Sequence, residues 1–482
     1  RLAANAKQGT TRKGTAMDYE SFLQSKSLAP KDSGFECELA ADGLYPFQRD
    51  LVRWALRVGR GAIFADTGLG KSRMQLEWAR QVAARTGGRV LILAPLAVAA
   101  QTVREGESIG VKVKLCRDGS EVEDGISITN YDRLHRFETA QFVGVVLDES
   151  SIIKHHEAKT LGILIEAFRG TQYKLCASAT PAPNDFSELG THAEFLGVCS
   201  RQEMLSEFFI HDAADTGEWR LKGHARKVFW QWVSAWGALV RKPSDLGYED
   251  DGYDLPPLNV HHHQVASSTA TLRNMGVLFA EQARDLTERR NARKASVDER
   301  VRRCAELVMT TEPSERWVVW CELNSEQDAL ARYFGADCFS IYGALDADEK
   351  EDRLLRFVGG ERRILLGKPS IFGFGINLQM VARMAFVGVN DSWESYYQSV
   401  RRIYRFGQTR PCDVHLFASD AEGAVIDNLA RKEADAKKMA DELSAETRGS
   451  LQASVLRRFN RHNPYTPAKS IAVPAWLRSA HV

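Results

Sequence analysis

The stretch GAIFADTGLGKS, residues 61–72, decides the fold of this chain. An apolar run typical of a strand leads into Gly68 and Gly70, and a helical pattern begins at Lys71 and Ser72. Glycines let backbone amides close around a phosphate, and the N-terminus of a helix adds positive potential there. Lys71 is therefore expected to reach the β- and γ-phosphates of ATP, and Ser72 is expected to hold a magnesium ion.

One position departs from the full phosphate-loop pattern. Ala65 stands five residues before Gly70, where the pattern has a glycine. A purely structural glycine turn is the alternative, and the change from strand to helix at this point disfavours it. The loop residues expected to bind the nucleotide are Thr67, Gly68, Leu69, Gly70, Lys71 and Ser72.

A second apolar run, in FVGVVLDESS at residues 142–151, ends in two adjacent carboxylates. Asp148 at the tip of a strand is expected to position the magnesium ion, and Glu149 to orient and deprotonate an attacking water. Such a pair is weak evidence alone, because loops often begin with acidic residues. Its position downstream of a phosphate loop, with strands between, favours the catalytic interpretation.

Short apolar runs alternate with helical patterns throughout the chain, which is typical of parallel sheets covered by helices. We therefore predict an α/β fold of two tandem lobes. The expected strands of the first lobe are residues 61–65, 89–94, 127–131, 142–147 and 174–178, and those of the second are 317–321, 338–342, 362–367, 383–389 and 413–417.

The expected domain boundaries follow from the same alternation. Pro256 and Pro257 resist both helix and sheet and mark the junction between the lobes. The prediction is an N-terminal extension at 1–43, a first lobe at 44–255 with a helical insertion at about 185–250, a second lobe at 256–446, and a basic C-terminal tail at 447–482. Residues 1–16 are basic and precede Met17, so we expect them to be an upstream or added extension.

The bulk composition excludes several classes of protein. The chain has 482 residues, of which 44% are hydrophobic, and it contains no apolar run long enough to span a membrane. Its eight cysteines form no C-x-x-C pair, so reduced thiols in the cytoplasm are expected. Three adjacent histidines at 261–263 do not predict a metal site, because neighbouring residues on a strand point to opposite faces.

Segments around these motifs resemble those of superfamily 2 helicases. LYPFQRDLVRWAL at 44–56 is similar to the segment that reads adenine through a glutamine, here Gln48. LILAPLAVAAQ at 91–101 and ITNYDRL at 128–134 are similar to segments that touch the nucleic-acid backbone, which implies that role for Pro95 and Tyr131. CASATPAPND at 176–185 is similar to the segment that couples hydrolysis to motion, with Ser178, Ala179 and Thr180.

The second half resembles the Swi/Snf-like branch of that superfamily. QSVRRIYRFGQTRP at 398–411 has the Swi/Snf form of the arginine-finger segment, with Gln398, Arg402 and Arg405 at the usual spacing and Gly407-Gln408 after them. GFGINL at 373–378 is similar to a segment that implies Gly375 at the nucleotide and Gly373 and Asn377 at the nucleic acid. The resemblance implies two RecA-like lobes, and it covers residues 44–417.

Two features of the first lobe depart from the Swi/Snf pattern. Ser150 and Ser151 follow the acidic pair where Ala-His or Ala-Asp is usual, and Ser-Ala-Thr at 178–180 is closer to helicases in general than the usual Thr-Gly-Thr. No bromodomain-like, zinc-binding or histone-binding segment is recognisable. The resemblance is therefore to a compact bacterial or phage-type member, expected in the cytoplasm of a bacterial cell or a phage-infected host.

The arginine segment has a clear physical purpose. An arginine supplied by the second lobe reaches the γ-phosphate only when the cleft closes, which couples hydrolysis to movement of the lobes. The leading hypothesis is an ATP- and magnesium-dependent translocase on DNA, with duplex DNA favoured and single-stranded DNA possible. The alternatives are a strand-separating DNA or RNA helicase and a nucleic-acid-binding scaffold without turnover.

One weaker signal lies in residues 219–240, where basic residues alternate with tryptophans. Such a mixture could grip a nucleic-acid strand by charge and base stacking. Because its aromatic residues recur at helical spacing, a buried helix is the favoured interpretation.

Overall fold

The computed structural model describes residues 32–39, 43–154, 159–182, 185–211, 219–265, 296–372, 377–388, 393–419, 431 and 447–456. In these ranges, no helix is both long enough and apolar enough to cross a bilayer.

The first lobe is built on a parallel sheet of seven strands in the order β3-β4-β2-β5-β6-β1-β9. Its central strands are mostly apolar, as expected when helices cover both faces of a sheet. The strands are β1 (Arg60–Ala65), β2 (Arg89–Ala94), β3 (Val113–Leu115), β4 (Ile126–Asn130), β5 (Phe142–Asp148), β6 (Tyr173–Ala177) and β9 (Gly237–Val240).

Helices pack on the two faces of this sheet around two apolar cores. One core contains Trp54 and Trp78 from the helices around the phosphate loop, and the other contains Phe195 and Trp236 from the later helices. The helices are α1 (Pro46–Val58), α2 (Lys71–Thr86), α3 (Leu96–Ser108), α4 (Lys159–Ala167), α5 (Leu189–Leu196), α6 (Arg201–Phe208) and α7 (Arg226–Trp236).

The segment at 185–250 is continuous with the first lobe. It contains α5, α6 and α7, and a short antiparallel hairpin of β7 (Phe209–His211) and β8 (Trp219–Leu221). Its last strand, β9, pairs with β1 and extends the sheet. Within the aromatic stretch 219–240, the buried-helix interpretation is confirmed for α7, where Trp230 and Trp236 are at most 1% exposed, and the residues on either side form β8 and β9 instead.

The second lobe has a parallel sheet of six strands in the order β10-β15-β14-β11-β13-β12. The strands are β10 (Leu258–Val265), β11 (Trp317–Cys321), β12 (Cys338–Ile341), β13 (Ile364–Gly367), β14 (Arg383–Val387) and β15 (Cys412–Ser419). The helices are α8 (Val297–Thr310), α9 (Asn324–Phe334), α10 (Ala347–Val358), α11 (Pro369–Phe372) and α12 (Trp393–Val400). The prediction of two α/β lobes with parallel sheets and flanking helices is thus confirmed.

Residues 447–456 are helical and lie against the first lobe. Leu451 and Val455 join the core that contains Trp54, and the Trp54 indole donates a hydrogen bond to Ser454 Oγ at 3.0 Å. Arg448 pairs with Asp245 at 3.2 Å. The chain therefore returns to the first lobe after completing the second sheet.

Candidate active site

The phosphate loop, residues 66–72, leaves β1 and ends at the start of α2. Gly68 and Gly70 have φ angles of 89° and 78°, which side chains other than glycine rarely adopt. Each also lies against a neighbour: a Cβ on Gly68 would be 2.9 Å from the Phe406 backbone nitrogen, and one on Gly70 would be 2.3 Å from Gln48 Nε2. The loop therefore depends on glycine for both conformation and space.

Gln48 connects α1 to this loop. Its side chain is 2% exposed, its Nε2 donates to the Leu69 carbonyl at 2.8 Å, and its Oε1 accepts from the Tyr45 amide at 2.9 Å. The glutamine that the sequence associates with adenine is thus at the phosphate loop, where it fixes the position of the Leu69 backbone.

Lys71 points into the loop that it belongs to. Its ammonium group donates to the carbonyl oxygens of Ala65 at 2.9 Å and Asp66 at 3.3 Å. Burial lowers the pKa of Lys71, while the carboxylates of Glu149, Asp66 and Asp148 oppose that shift. The lysine and the acidic pair therefore belong to one electrostatic site.

Asp148 ends β5 beside the phosphate loop. Its carboxylate accepts a hydrogen bond from Gln75 Nε2 at 2.6 Å, and its carbonyl accepts one from the Tyr131 hydroxyl at 2.7 Å. Burial raises the pKa of Asp148 to about 6, and the charge of Glu149 contributes to the rise. A carboxylate in this state is stabilised by any added positive charge.

Glu149 has a left-handed backbone, with φ 51° and ψ 53°. It is the single residue other than glycine with a positive φ in the described part of the chain. Its Oε2 atom is buried and accepts no hydrogen bond from the described residues. The strained turn thus presents a carboxylate oxygen that is available to a water molecule or an ion.

The second lobe meets this site through α12 and the turn after it. Gln398 Nε2 donates to Thr180 Oγ1 at 3.3 Å, and Arg402 donates from Nη2 to Gln398 Oε1 at 3.3 Å. On the first lobe, the Thr180 amide donates to Ser178 Oγ at 3.1 Å. Three of the predicted coupling residues, Ser178, Thr180 and Gln398, therefore form one hydrogen-bonded chain that crosses between the lobes.

Both predicted arginine fingers are mostly buried. Arg402 is 5% exposed, and burial lowers its pKa to about 10, opposed by the carboxylates of Glu149 and Asp148. Burial also lowers the pKa of Arg405, and its Nε atom has no hydrogen-bond partner among the described residues. Arg402 and Lys71 thus interact with the acidic pair, Arg405 lies close enough to both to lower their pKa values, and a polyanion between the three cations would offset that repulsion.

A cross-lobe contact at Asp66 was not among the sequence-based predictions. The Asp66 carboxylate accepts hydrogen bonds from Arg401 Nη2 at 3.2 Å and from the Tyr397 hydroxyl at 3.1 Å. Burial alone would raise the pKa of Asp66, but Arg401, the Thr67 amide, Lys71 and Tyr397 lower it. Each residue adjoins a recognised motif, and nothing in the sequence pairs them across the lobes.

The remaining predicted residues are more dispersed. Ser72, Thr67 and Ala179 are half-buried beside the loop and the coupling segment. Pro95 precedes α3, and the amide side chain of Asn377 exchanges hydrogen bonds with Gln379. The Tyr131 hydroxyl is bonded to Asp148, which ties this predicted nucleic-acid residue to the acidic pair. Gly373 and Gly375 lie outside the described residues.

Comparisons with known proteins agree with these motifs. The model of the helicase conserved C-terminal domain matches residues 299–407, a range that includes Arg402 and Arg405. The transcriptional regulator ATRX homolog of Drosophila melanogaster is 30% identical over 113 residues, which are 22% of this chain and 9% of that protein. This chain thus spans less than a tenth of that relative's length.

A solved structure, the Sulfolobus solfataricus SWI2/SNF2 ATPase core in complex with dsDNA, aligns over 86% of this chain and 97% of that chain, with 18% identity and a TM-score of 0.39. The match to the helicase conserved C-terminal domain agrees with the resemblance of the second half of the chain to helicases.

Proposed function

We propose that this chain is a nucleic-acid-stimulated ATPase that hydrolyses ATP between its two lobes and uses the movement of the lobes to translocate along duplex DNA. The observation that carries the proposal is the hydrogen-bonded chain from Thr180 through Gln398 to Arg402. It connects a segment of the first lobe with an arginine of the second at the position where the acidic pair and Lys71 meet.

The charges of the site suit ATP as the substrate. Burial lowers the pKa values of Lys71, Arg402 and Arg405, and the charge of Arg405 lowers those of Lys71 and Arg402 further. The triphosphate of ATP would supply the missing negative charge, and the phosphate loop would bind it through backbone amides.

The acidic side of the site suits magnesium. Asp148 is buried with a raised pKa, and the neighbouring Glu149 Oε2 is buried without a partner among the described residues. Magnesium would be held by one carboxylate, Asp148, together with Ser72 and the phosphates of ATP. When bound, the ion would neutralise charge that develops on the phosphates.

Four residues of this chain have separate roles in ATP hydrolysis. Glu149 orients the attacking water and accepts its proton. Lys71 stabilises the γ-phosphate, and Arg402 and Arg405 place positive charge on it as the bond to the leaving group breaks. Because these arginines come from the second lobe, turnover requires closure, and closure is lost once the phosphate leaves.

Duplex DNA is the favoured nucleic acid for translocation because residues 398–411 have the Swi/Snf form of the arginine-finger segment. Contacts of such a motor with the phosphate backbone carry no base information, so we expect little sequence preference. A strand-separating helicase is the second candidate, favoured by the Ser-Ala-Thr form of residues 178–180. A scaffold without turnover is disfavoured, since Lys71, Glu149, Arg402 and Arg405 are all present.

The test is the steady-state ATPase rate without nucleic acid, with duplex DNA, with single-stranded DNA and with RNA, for the unmodified chain and for Lys71→Ala. Stimulation by duplex DNA that is absent in the variant is the expected result. Stimulation by single strands or RNA alone would move the proposal to a helicase. Hydrolysis in no condition, or equal hydrolysis by Lys71→Ala, would overturn the proposal.

A further inference from the structure

Ser150 and His192 form a buried polar pair directly behind the acidic turn. Ser150 Oγ and His192 Nε2 are 3.1 Å apart, and both residues have 0% exposure. Ser150 follows Glu149 in the chain, whereas His192 lies on α5, 42 residues later. Two polar groups buried this deeply are costly unless they bond to each other. A pair of apolar residues would fill the same space at lower cost, so the polar pair needs a reason.

We propose that His192 is a positioning residue that, through Ser150, holds Glu149 in its left-handed turn and so aims the Glu149 carboxylate at the attacking water. The inference rests on the proposed function, because it assigns Glu149 the role of the base in ATP hydrolysis.

The strained backbone is the first reason. A glutamate in the left-handed region relaxes to another conformation unless its surroundings hold it. The turn is fixed on both sides: the Tyr131 hydroxyl donates to the Asp148 carbonyl at 2.7 Å, and His192 holds the Ser150 hydroxyl. Without the second contact, Ser150 is attached only through its backbone, and the Glu149 turn loses its support on that side.

The location of His192 is the second reason. Its ring packs edge-on against Phe64 of β1, with 5.1 Å between ring centres. β1 leads directly into the phosphate loop, and α5 follows the coupling segment that contains Ser178 and Thr180. A single imidazole therefore connects the strand before the loop, the acidic turn and the helix after the coupling segment.

The protonation state of the His192 ring is compatible with a permanent hydrogen bond to Ser150. Burial lowers the pKa of His192 to about 4, so the ring is neutral at physiological pH. A neutral ring shares one hydrogen bond with a hydroxyl that can donate or accept as the tautomer requires. The contact therefore holds Ser150 without adding a charge beside Lys71 and the arginines.

The test uses the full chain with four single substitutions and one double substitution. His192→Leu and Ser150→Ala each remove the bond, His192→Gln keeps a polar group in its place, and Thr191→Val is the matched control. Thr191 is the adjacent, equally buried polar residue of α5, and its hydroxyl donates to the Glu188 carbonyl at 2.8 Å. We would measure kcat and KM for ATP with saturating DNA, binding of a fluorescent ATP analogue, and the midpoint of thermal unfolding.

We expect His192→Leu and Ser150→Ala to lower kcat by roughly tenfold to a hundredfold, the scale of a misplaced catalytic group. KM and analogue binding should stay close to those of the unmodified chain. The double variant should be no slower than the slower single variant, because both remove one contact. His192→Gln should recover most of kcat, and Thr191→Val should not change it.

Unchanged kcat in both Ser150→Ala and His192→Leu would overturn the inference. The inference would also be overturned if Thr191→Val lost as much kcat as the other variants, in proportion to a lower unfolding midpoint. That pattern marks a purely structural role. If His192→Leu does not fold, Ser150→Ala and His192→Gln decide the question alone. In each of these outcomes, the proposed function still holds if the unmodified chain hydrolyses ATP and Lys71→Ala does not. Failure of this inference and failure of the proposed function can therefore be told apart.

Discussion

Glu149 and Asp148 are adjacent carboxylates with different surroundings. Asp148 accepts a hydrogen bond from Gln75, whereas one oxygen of Glu149 is buried with no partner in the described ranges. We expect Glu149→Gln to bind ATP and to stop turnover, because the amide keeps the shape of the side chain and cannot accept the proton. Analogue binding and single-turnover hydrolysis would measure this. Full hydrolysis by the variant would remove Glu149 from its assigned role.

Arg405 has the clearest single-residue consequence on the second lobe. We expect Arg405→Ala to lower kcat by about 10³, the scale of an arginine that stabilises charge on a transferred phosphate. Arg410→Ala is the matched control, because Arg410 is exposed in the same segment and pairs with Glu315 within the second lobe. A weak loss in Arg405→Ala would assign the finger to Arg402 alone.

At the scale of elements, apolar runs predicted the central strands of both sheets. They did not predict β3, which has only three residues, or β9, which lies in a segment expected to be helical. β10 was also missed, because it is an edge strand whose histidines mask the apolar pattern. Burial makes a strand recognisable even at an edge, as for β12, whereas β10 is half-exposed and lacks that signal.

The residues of the candidate active site also fall into two groups: those that local motifs predict and those that only the packing of elements brings together. Lys71, Asp148, Glu149 and the arginine pair lie in local motifs, so spacing along the chain was enough to select them. The contact of Asp66 with Arg401 and that of Ser150 with His192 join distant elements. Pairings of this kind depend on how the elements pack, and no pattern in one sequence records that packing.

β10 and β15 carry a pH-dependent contribution to stability. Burial lowers the pKa of His415 to about 4, and His261 and His263 lower it further while Asp413 opposes them. At pH values between about 4 and the ordinary histidine pKa of 6.5, His415 therefore binds a proton in the unfolded chain and not in the folded chain. This contribution is present above that window and is lost as the pH falls through it.

We expect the unfolding midpoint to rise between pH 5 and pH 7, and to rise less in His415→Gln. His192 has a pKa lowered in the same direction and remains in the variant, so only part of the slope should disappear. Scans of thermal unfolding at several pH values would measure it, with the exposed His262→Gln as the control. An identical slope in all three proteins would contradict the assignment.

At the scale of the whole molecule, the lobes touch around the phosphate loop. Arg401 pairs with Asp66 at 3.2 Å, and Phe406 lies against Gly68. Because both partners are mostly buried, with side chains 19% and 16% exposed, salt screens the pair less than it screens surface pairs.

We expect Arg401→Gln to open the cleft in the absence of nucleotide and to increase the radius of gyration measured by small-angle X-ray scattering. Arg383→Gln removes an ion pair with Asp413 within the second lobe and serves as the control. An unchanged radius for Arg401→Gln would mean that the other contacts are sufficient to hold the lobes together.

The return of residues 447–456 to the first lobe has a consequence for how the protein can be divided. The second half of the chain carries a segment whose Leu451 and Val455 are buried in the core of the first half. Two separately expressed polypeptides, divided next to Pro256, should therefore assemble as a split enzyme without any added fusion partner. Leu451→Asp in the later fragment should prevent that complementation, since it buries a charge where the apolar anchor was.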